Sequence, residues 1–323
     1  MADVAANFQD FDPYNDLPEY FFCIYYGLRR SGKTTMLRSM LYEMRDRLEG
    51  QNVYLFSTTA EVTPEDYKYI PKKAKKHNLG ELEHELGKII HEQKAKMKKY
   101  HDGDSAEEPA PILIILDDCV SENTIRHCPS LNTLAVAGRH LHMSVVVLSQ
   151  VVTGSGSVPP IVRTQADAIF VVAQPRSERE RALIAEQYLT SDTGYNSKRR
   201  GLDVMGAVTD VQYRGLVILT TDSSARRFDD YLLTYGPVDD AQVDSDFRLG
   251  TDEQWDDGDK KPKRMFTPSS TSSNQPMSSK MNSLPDPFSL TPDLAKDTND
   301  EYIWRLSEQL QPQTNNRRGR RIR

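Results

Sequence analysis

The chain has 323 residues, 47 acidic and 41 basic side chains for a net charge of −6, and 37% hydrophobic residues. That length can bury the core of one large domain or two small ones, and the mild acidity opposes wholesale coating of nucleic acid while leaving room for a local basic surface. No apolar run approaches the roughly 20 residues a bilayer requires, the opening MADVAANFQDF lacks a secretory pattern, and Cys23, Cys119 and Cys128 read as reduced intracellular thiols.

Residues 1–19 form an N-terminal arm. From 20 to 235, short apolar runs alternate with helical patterns. The first run, Tyr20–Tyr26, is aromatic and nearly continuous in hydrophobicity, as a strand buried on both faces is. It leads directly into Gly27–Thr34, GLRRSGKT, the G-x-x-x-x-G-K-[ST] pattern of a P-loop, and a predicted helix over Thr34–Leu48 follows. Strand, glycine-rich turn and helix are the context the pattern needs. Gly27 and Gly32 let successive N–H groups turn inward as an anion nest, and the helix dipole points its positive end at the same place. Gly27, Leu28, Arg29, Arg30, Ser31, Gly32, Lys33, Thr34 and Thr35 are therefore the candidate nucleotide-binding residues. Lys33 reaches the β- and γ-phosphates of ATP and Thr34 offers its hydroxyl to Mg²⁺. The side chains of Arg29 and Arg30 read as solvated or partner-facing.

Val53–Phe56 is the second predicted strand, and Glu81–Lys99 is a helix. Lys72, Lys73, Lys75 and Lys76 make one basic cluster, and Lys94, Lys96, Lys98 and Lys99 make another. Either could follow a phosphate backbone or form a solvated face balanced by Glu81, Glu83 and Glu85. His84 and His91, seven apart, read as solvated or half-buried rather than as a metal pair.

The third strand, Ile112–Leu116, runs into Asp117 and Asp118, 84 residues after Lys33. A buried strand ending in two carboxylates fits a Walker B element. Asp117 would hold Mg²⁺ through water and Asp118 would act as general base toward the attacking water. A helix-capping aspartate is the bland alternative. Many such ATPases carry Glu where Asp118 stands, and the shorter side chain changes where the water can sit.

A helix over Leu131–Gly138 then precedes Arg139-His140 and the strand Ser144–Leu148, which ends in Ser149-Gln150. A polar residue at that tip sits beside the γ-phosphate and can sense it or orient water, so Gln150 joins the catalytic candidates. Arg139 is either a helix C-terminal cation or a residue that works on phosphate. The order of motifs, without any NKxD, implies a mostly parallel α/β P-loop sheet of the ASCE/RecA-like kind, with helices on both faces. Strands Ala168–Ala173 and Leu216–Leu219 and the helix Glu178–Leu189 complete it.

Beyond Gly236 the composition changes. Between Asp239 and Asp259 nine acids face one base, Arg248. KKPKR (260–264) and a Ser/Thr/Pro-rich stretch follow, so residues 236–300 are expected to be a disordered linker that cannot offset its ordering entropy. Residues 301–323 carry a short amphipathic pattern, Ile303, Leu306 and Leu310 beside Trp304, and an arginine-rich end, RRGRRIR.

GLRRSGKT, ILIILDD and AGRHLHMSVVVLSQ, in this order, resemble the genome-packaging ATPases of large DNA viruses, the poxvirus type within the FtsK–HerA group. SVPPIVRTQADAIFVV (157–172) fits the next strand of that family. The resemblance covers roughly residues 20–235. It implies a homo-oligomeric ring, hexameric in expectation, that hydrolyses ATP between subunits and drives double-stranded DNA into a preformed capsid. Capsid or portal-vertex proteins would be partners, and the host cytoplasm, the nucleus or the virion would be the location. By the same resemblance Arg139 is an arginine finger, with Arg163 second, and Gln150 is the sensor. Two other functions stay open on the residues alone. One is a nucleotide or nucleoside kinase with Arg176–Arg181 (RSERER) as a lid. The other is a nucleotide-gated virion scaffold.

Overall fold

The computed structural model describes residues 8–119, 125–154, 156–189, 197–221, 227–239 and 242–255. The Ser/Thr/Pro-rich stretch, the amphipathic pattern around Trp304 and the arginine-rich end lie outside the described residues. In chain order the elements are α1 (Pro13–Asp16), β1 (Phe22–Tyr26), α2 (Lys33–Glu43), β2 (Asn52–Ser57), β3 (Lys75–Lys76), α3 (Leu82–His101), β4 (Ile112–Asp117), α4 (Pro129–Ala137), β5 (Met143–Ser149), α5 (Pro160–Thr164), β6 (Ala168–Val171), α6 (Glu178–Tyr188), α7 (Ser197–Thr209), β7 (Gly215–Leu219), α8 (Phe228–Tyr231) and β8 (Leu232–Tyr235).

The strands make one eight-stranded sheet in the order β3-β2-β4-β5-β1-β6-β7-β8. The six from β3 to β6 run parallel, and β7 and β8 add an antiparallel edge. Alternation along each strand sends side chains to two separate cores, as the period of two demands. Cys23 and Tyr25 of β1 join Leu113, Ile115, Val146, Leu148 and Phe170 on one face, under Met36, Leu37, Met40 and Leu41 of α2. Phe22, Ile24 and Tyr26 join Ile114, Leu116, Val145 and Val147 on the other, under α3, α4, α6 and α7. Strands buried on both faces are why β1, β4 and β5 read as continuous apolar runs.

Two elements with weak sequence signals finish the sheet. β3 is two lysines at the edge beside Leu55 and Phe56, a charged edge of the kind that discourages pairing with another chain. β8 pairs with β7 and is anchored by the Tyr235 hydroxyl, which donates to Glu43 at 2.8 Å and is hydrogen-bonded to the Ser39 hydroxyl at 3.1 Å on α2.

The acidic stretch departs from the expected linker between Val243 and Trp255. Phe247 and Leu249 are buried in the α2 face, and Trp255 is buried beside them, bonded to Leu249. The Gln254 amide accepts from Val53 N at 3.0 Å and donates to Val53 O at 2.8 Å, filling the edge of β2 that β3 is too short to reach. Three apolar side chains and one amide thus tie down a segment whose local composition points to solvent. Among the described residues no helix is long and apolar enough to cross a membrane.

Candidate functional site

β5 lies between β1 and β4, so the chain's three motif-bearing strands are neighbours and their C-terminal ends converge on one rim. Ligands of open parallel sheets bind at that rim. The loop after β1 is built by local conformation. Arg30 takes φ 63° and Gly32 φ 90°, a left-handed residue on either side of Ser31 that turns the intervening backbone into a concave nest. Gly32 is also the N-cap of α2. Gly27 is needed for space: a Cβ there would stand 2.5 Å from Ser31 Oγ and 3.3 Å from both Lys33 Cγ and Val172 Cβ. Its N–H donates to Ser149 O at 3.2 Å, fixing the loop to the end of β5.

Lys33 is buried and folds across the loop, donating to Gly27 O at 2.9 Å and Leu28 O at 3.0 Å. Loss of hydration lowers its pKa, and the nearby Asp117 and Asp118 oppose that shift. A partly desolvated ammonium held only by carbonyls is ready to exchange them for anionic oxygens. The cleft in front of it, about 360 Å³, is lined by Arg30 to Thr35 together with Arg38 and Asp66.

Asp117 ends β4 and is 5% exposed. Burial pushes its carboxyl up to about 6, against the lowering effects of a hydrogen bond from Tyr67 and the charge of Lys33. The next residue, Asp118, leaves the strand with φ 55°, a left-handed conformation that Asp tolerates better than most residues. There its carboxylate accepts from the Gln150 side-chain amide, so the general-base and sensor candidates are in direct contact. The loop behind Gln150 is gripped from several sides. Glu180 accepts from Val152 N at 3.0 Å and Thr153 N at 3.4 Å, Arg163 donates to Val152 O at 3.3 Å, and Arg126 donates to Gly154 O at 2.9 Å.

Those contacts give Arg163 an internal role, while Arg176 and Arg179 are exposed. Arg163 is half-buried against Val152, and Arg181 donates to Pro175 O and Arg176 O at 3.0 Å each. Arg139 stands elsewhere. It sits in the 3-10 turn Gly138–Leu141 that precedes β5, so the length of β5, about 20 Å, separates it from its own cleft. Its side chain is 57% exposed and 4.0 Å from Asp167. At the far end of β5 it does not reach the phosphate cradle of its own chain.

Thr34 and Asp117 suit a hard divalent cation because both offer oxygen, and the Asp117 carboxylate accepts from the Tyr67 hydroxyl. Among the described residues no group of three or more His, Cys, Asp or Glu could hold a metal alone. A magnesium ion at such a place takes its other ligands from phosphate and water. Sequence reasoning missed Arg38, Asp66 and Tyr67. Arg38 was within reach, one helical turn beyond Thr34 on the same face; Asp66 and Tyr67 come from an irregular segment without a pattern.

No curated protein matches the chain. Among solved structures, the genome packaging NTPase B204 of Sulfolobus turreted icosahedral virus 2, in complex with AMPPCP, is similar at 16% identity and TM-score 0.44 over 69% of this chain and 100% of that one. The pCW3 conjugation coupling protein TcpA, with ATPγS, has 13% identity and TM-score 0.47 over 68% and 60%. EssC from Geobacillus thermodenitrificans, ATPases 2 and 3, has 16% identity and TM-score 0.45 over 71% and 42%. The family model described as Poxvirus A32 protein matches residues 9–178, from the isolated bridge before β1 to the first turn of α6. That span holds the P-loop, both carboxylates and the Gln150 strand, and with it the chain belongs to the Poxvirus A32 protein family of packaging-type P-loop ATPases.

Proposed function

We propose that this ATPase is the motor that moves viral double-stranded DNA into a preformed capsid, working as a ring whose ATP sites are completed by neighbouring copies. The observation that carries the reading is the split of functional groups across the sheet. Lys33, Asp117, Asp118 and Gln150 share one rim, while Arg139 is exposed at the other. Cleft and arginine can meet only between subunits. Family membership supports DNA as the cargo.

In this reading, incoming triphosphate draws Lys33 Nζ off the carbonyls of Gly27 and Leu28 and onto phosphate oxygens. The N–H groups around Ser31 and Gly32 face the same charge. A divalent cation, when bound, supplies neutralisation of the β- and γ-phosphates, and Thr34 and Asp117 would hold it. Asp118 takes the proton of the attacking water, and Gln150, bonded to Asp118, fixes the direction in which that carboxylate points. The guanidinium of a neighbour's Arg139 balances charge on the γ-phosphoryl oxygens, an effect on the order of 10³–10⁵ in rate. Hydrolysis then depends on the neighbour's position, which is how phosphate loss becomes subunit motion. Capsid or portal-vertex proteins would receive the ring at assembly sites in the host cell.

ATP turnover by the purified full-length chain tests the reading. Lys33→Ala and Asp117→Ala should each abolish phosphate release, and products should be ADP and phosphate with no phosphorylated nucleoside acceptor. Turnover that survives Lys33→Ala would refute it.

A further inference from the structure

Tyr67 lies in the 3-10 turn Pro64–Tyr67, on the connection between β2 and β3, and is 1% exposed. Its hydroxyl donates to the Asp117 carboxylate. It therefore occupies a carboxylate that the proposed function assigns to the metal. A magnesium ion requires near-octahedral oxygens at about 2.0–2.1 Å. The Asp117 oxygen that accepts from the phenol must be released by it before that oxygen can hold the ion or one of the ion's waters.

The turn is also linked outward. Tyr67 O accepts from Ile70 N at 3.0 Å. Two residues on, Tyr69 O accepts from Leu249 N at 2.9 Å, and the Tyr69 ring stacks on Phe247 with centroids 5.3 Å apart. Trp255 Nε1 closes the strap by donating to Leu249 O at 2.9 Å. Asp66, next to Tyr67, lines the cleft itself. One short segment thus touches Asp117, the nucleotide cleft and the acidic strap.

We propose that Tyr67 is a gate on the metal position: its hydroxyl occupies the Asp117 carboxylate until metal-bound nucleotide displaces it, and the displacement is transmitted through Tyr69 to the Phe247–Trp255 strap. This inference rests on the reading of Thr34 and Asp117 given above. Tyr67 is a positioning residue in it, competing with the ion for Asp117 rather than touching substrate. A hydrogen bond to a charged group is a sizeable barrier to such an exchange.

The test is binding of a fluorescent non-hydrolysable ATP analogue to full-length wild type and Tyr67→Phe, with Mg²⁺ and with EDTA. The ring is kept in Tyr67→Phe, so the core stays filled. Metal-dependent affinity should rise about tenfold in the variant, and affinity in EDTA should stay the same. A variant with unchanged affinity in both conditions, or with equal shifts in both, overturns the gate. A second measurement leaves Tyr67 intact. In a Trp304→Phe protein, Trp255 emission should change with Mg²⁺ and analogue but not with analogue and EDTA; identical emission in the two conditions overturns the transmission to the strap. The underlying reading fails separately: Lys33→Ala that binds the analogue as wild type does would show that the loop is not the nucleotide site, and the gate would fall with it.

Discussion

Asp117→Asn should make the nucleotide-free protein more stable at neutral and alkaline pH while abolishing turnover. The carboxyl is raised from its ordinary 3.8 to about 6, chiefly because burial strips water from the charged form. Two units at 1.36 kcal/mol each amount to roughly 3 kcal/mol. The sign follows from the linkage. A folded-state pKa above the unfolded value means the folded protein holds the proton more tightly, so this residue's contribution is most favourable below about pH 3.8. It declines as pH rises to about 6 and is constant beyond that. Asparagine keeps an oxygen that can accept from Tyr67 and has no charge to desolvate. Urea unfolding of both proteins at steps from pH 4 to pH 8 measures the difference. The curves should nearly coincide at pH 4 and separate, with the variant more stable by about 2–3 kcal/mol at pH 8. A variant less stable at pH 8 would refute the reasoning, because the carboxylate would then be holding the fold together. A buried charge kept at a cost to stability is the behaviour expected of a residue retained for chemistry.

Further outcomes follow from other parts of the structure. Gly27→Ala places a methyl 2.5 Å from Ser31 Oγ and should weaken nucleotide binding by about tenfold or more in equilibrium titration, with little change in melting temperature. Arg139→Ala should lower turnover by on the order of 10³ while leaving nucleotide affinity and stability nearly unchanged, since its exposed pairing with Asp167 at 4.0 Å contributes little. Mixing it with Lys33→Ala protein should restore part of the activity, each subunit supplying what the other lacks. Trp255→Ala should cost about 2–4 kcal/mol in chemical denaturation by removing a buried ring and its hydrogen bond to Leu249; a change under 0.5 kcal/mol would show that the strap contributes no stability.

The parts of the molecule legible in the sequence are those whose physics is local. GLRRSGKT between a strand and a helix announces its nest because backbone conformation and charge are set within eight residues. The runs of β1, β4 and β5 are legible because both of their faces are buried. The strand order is not written in any run, yet it is what brings Gln150 to Asp118, since β5 must enter between β1 and β4 for their tips to meet.

The illegible parts depend on partners far along the chain. In α7, SKRRGLDVMGAVT carries two glycines that weaken any helical reading, but Gly201 lies where a Cβ would come within 2.7 Å of Leu189 Cβ, so close packing against the end of α6 explains its presence. Phe247 and Leu249 are diluted among acids and find their pocket beside α2 and Tyr69, about 180 to 210 residues earlier in sequence. Tyr67 has no motif. Its importance comes from where the β2–β3 connection returns to the sheet, a tertiary fact.

The central claim, that ATP hydrolysis is completed between copies of this chain and drives duplex DNA, is tested most directly by turnover per subunit measured against protein concentration with and without linear double-stranded DNA. The account predicts a steep rise in specific activity as subunits assemble and a further rise on adding DNA, both lost in Arg139→Ala. Specific activity that is the same for a dilute monomer as for any assembly, and indifferent to DNA, would contradict it.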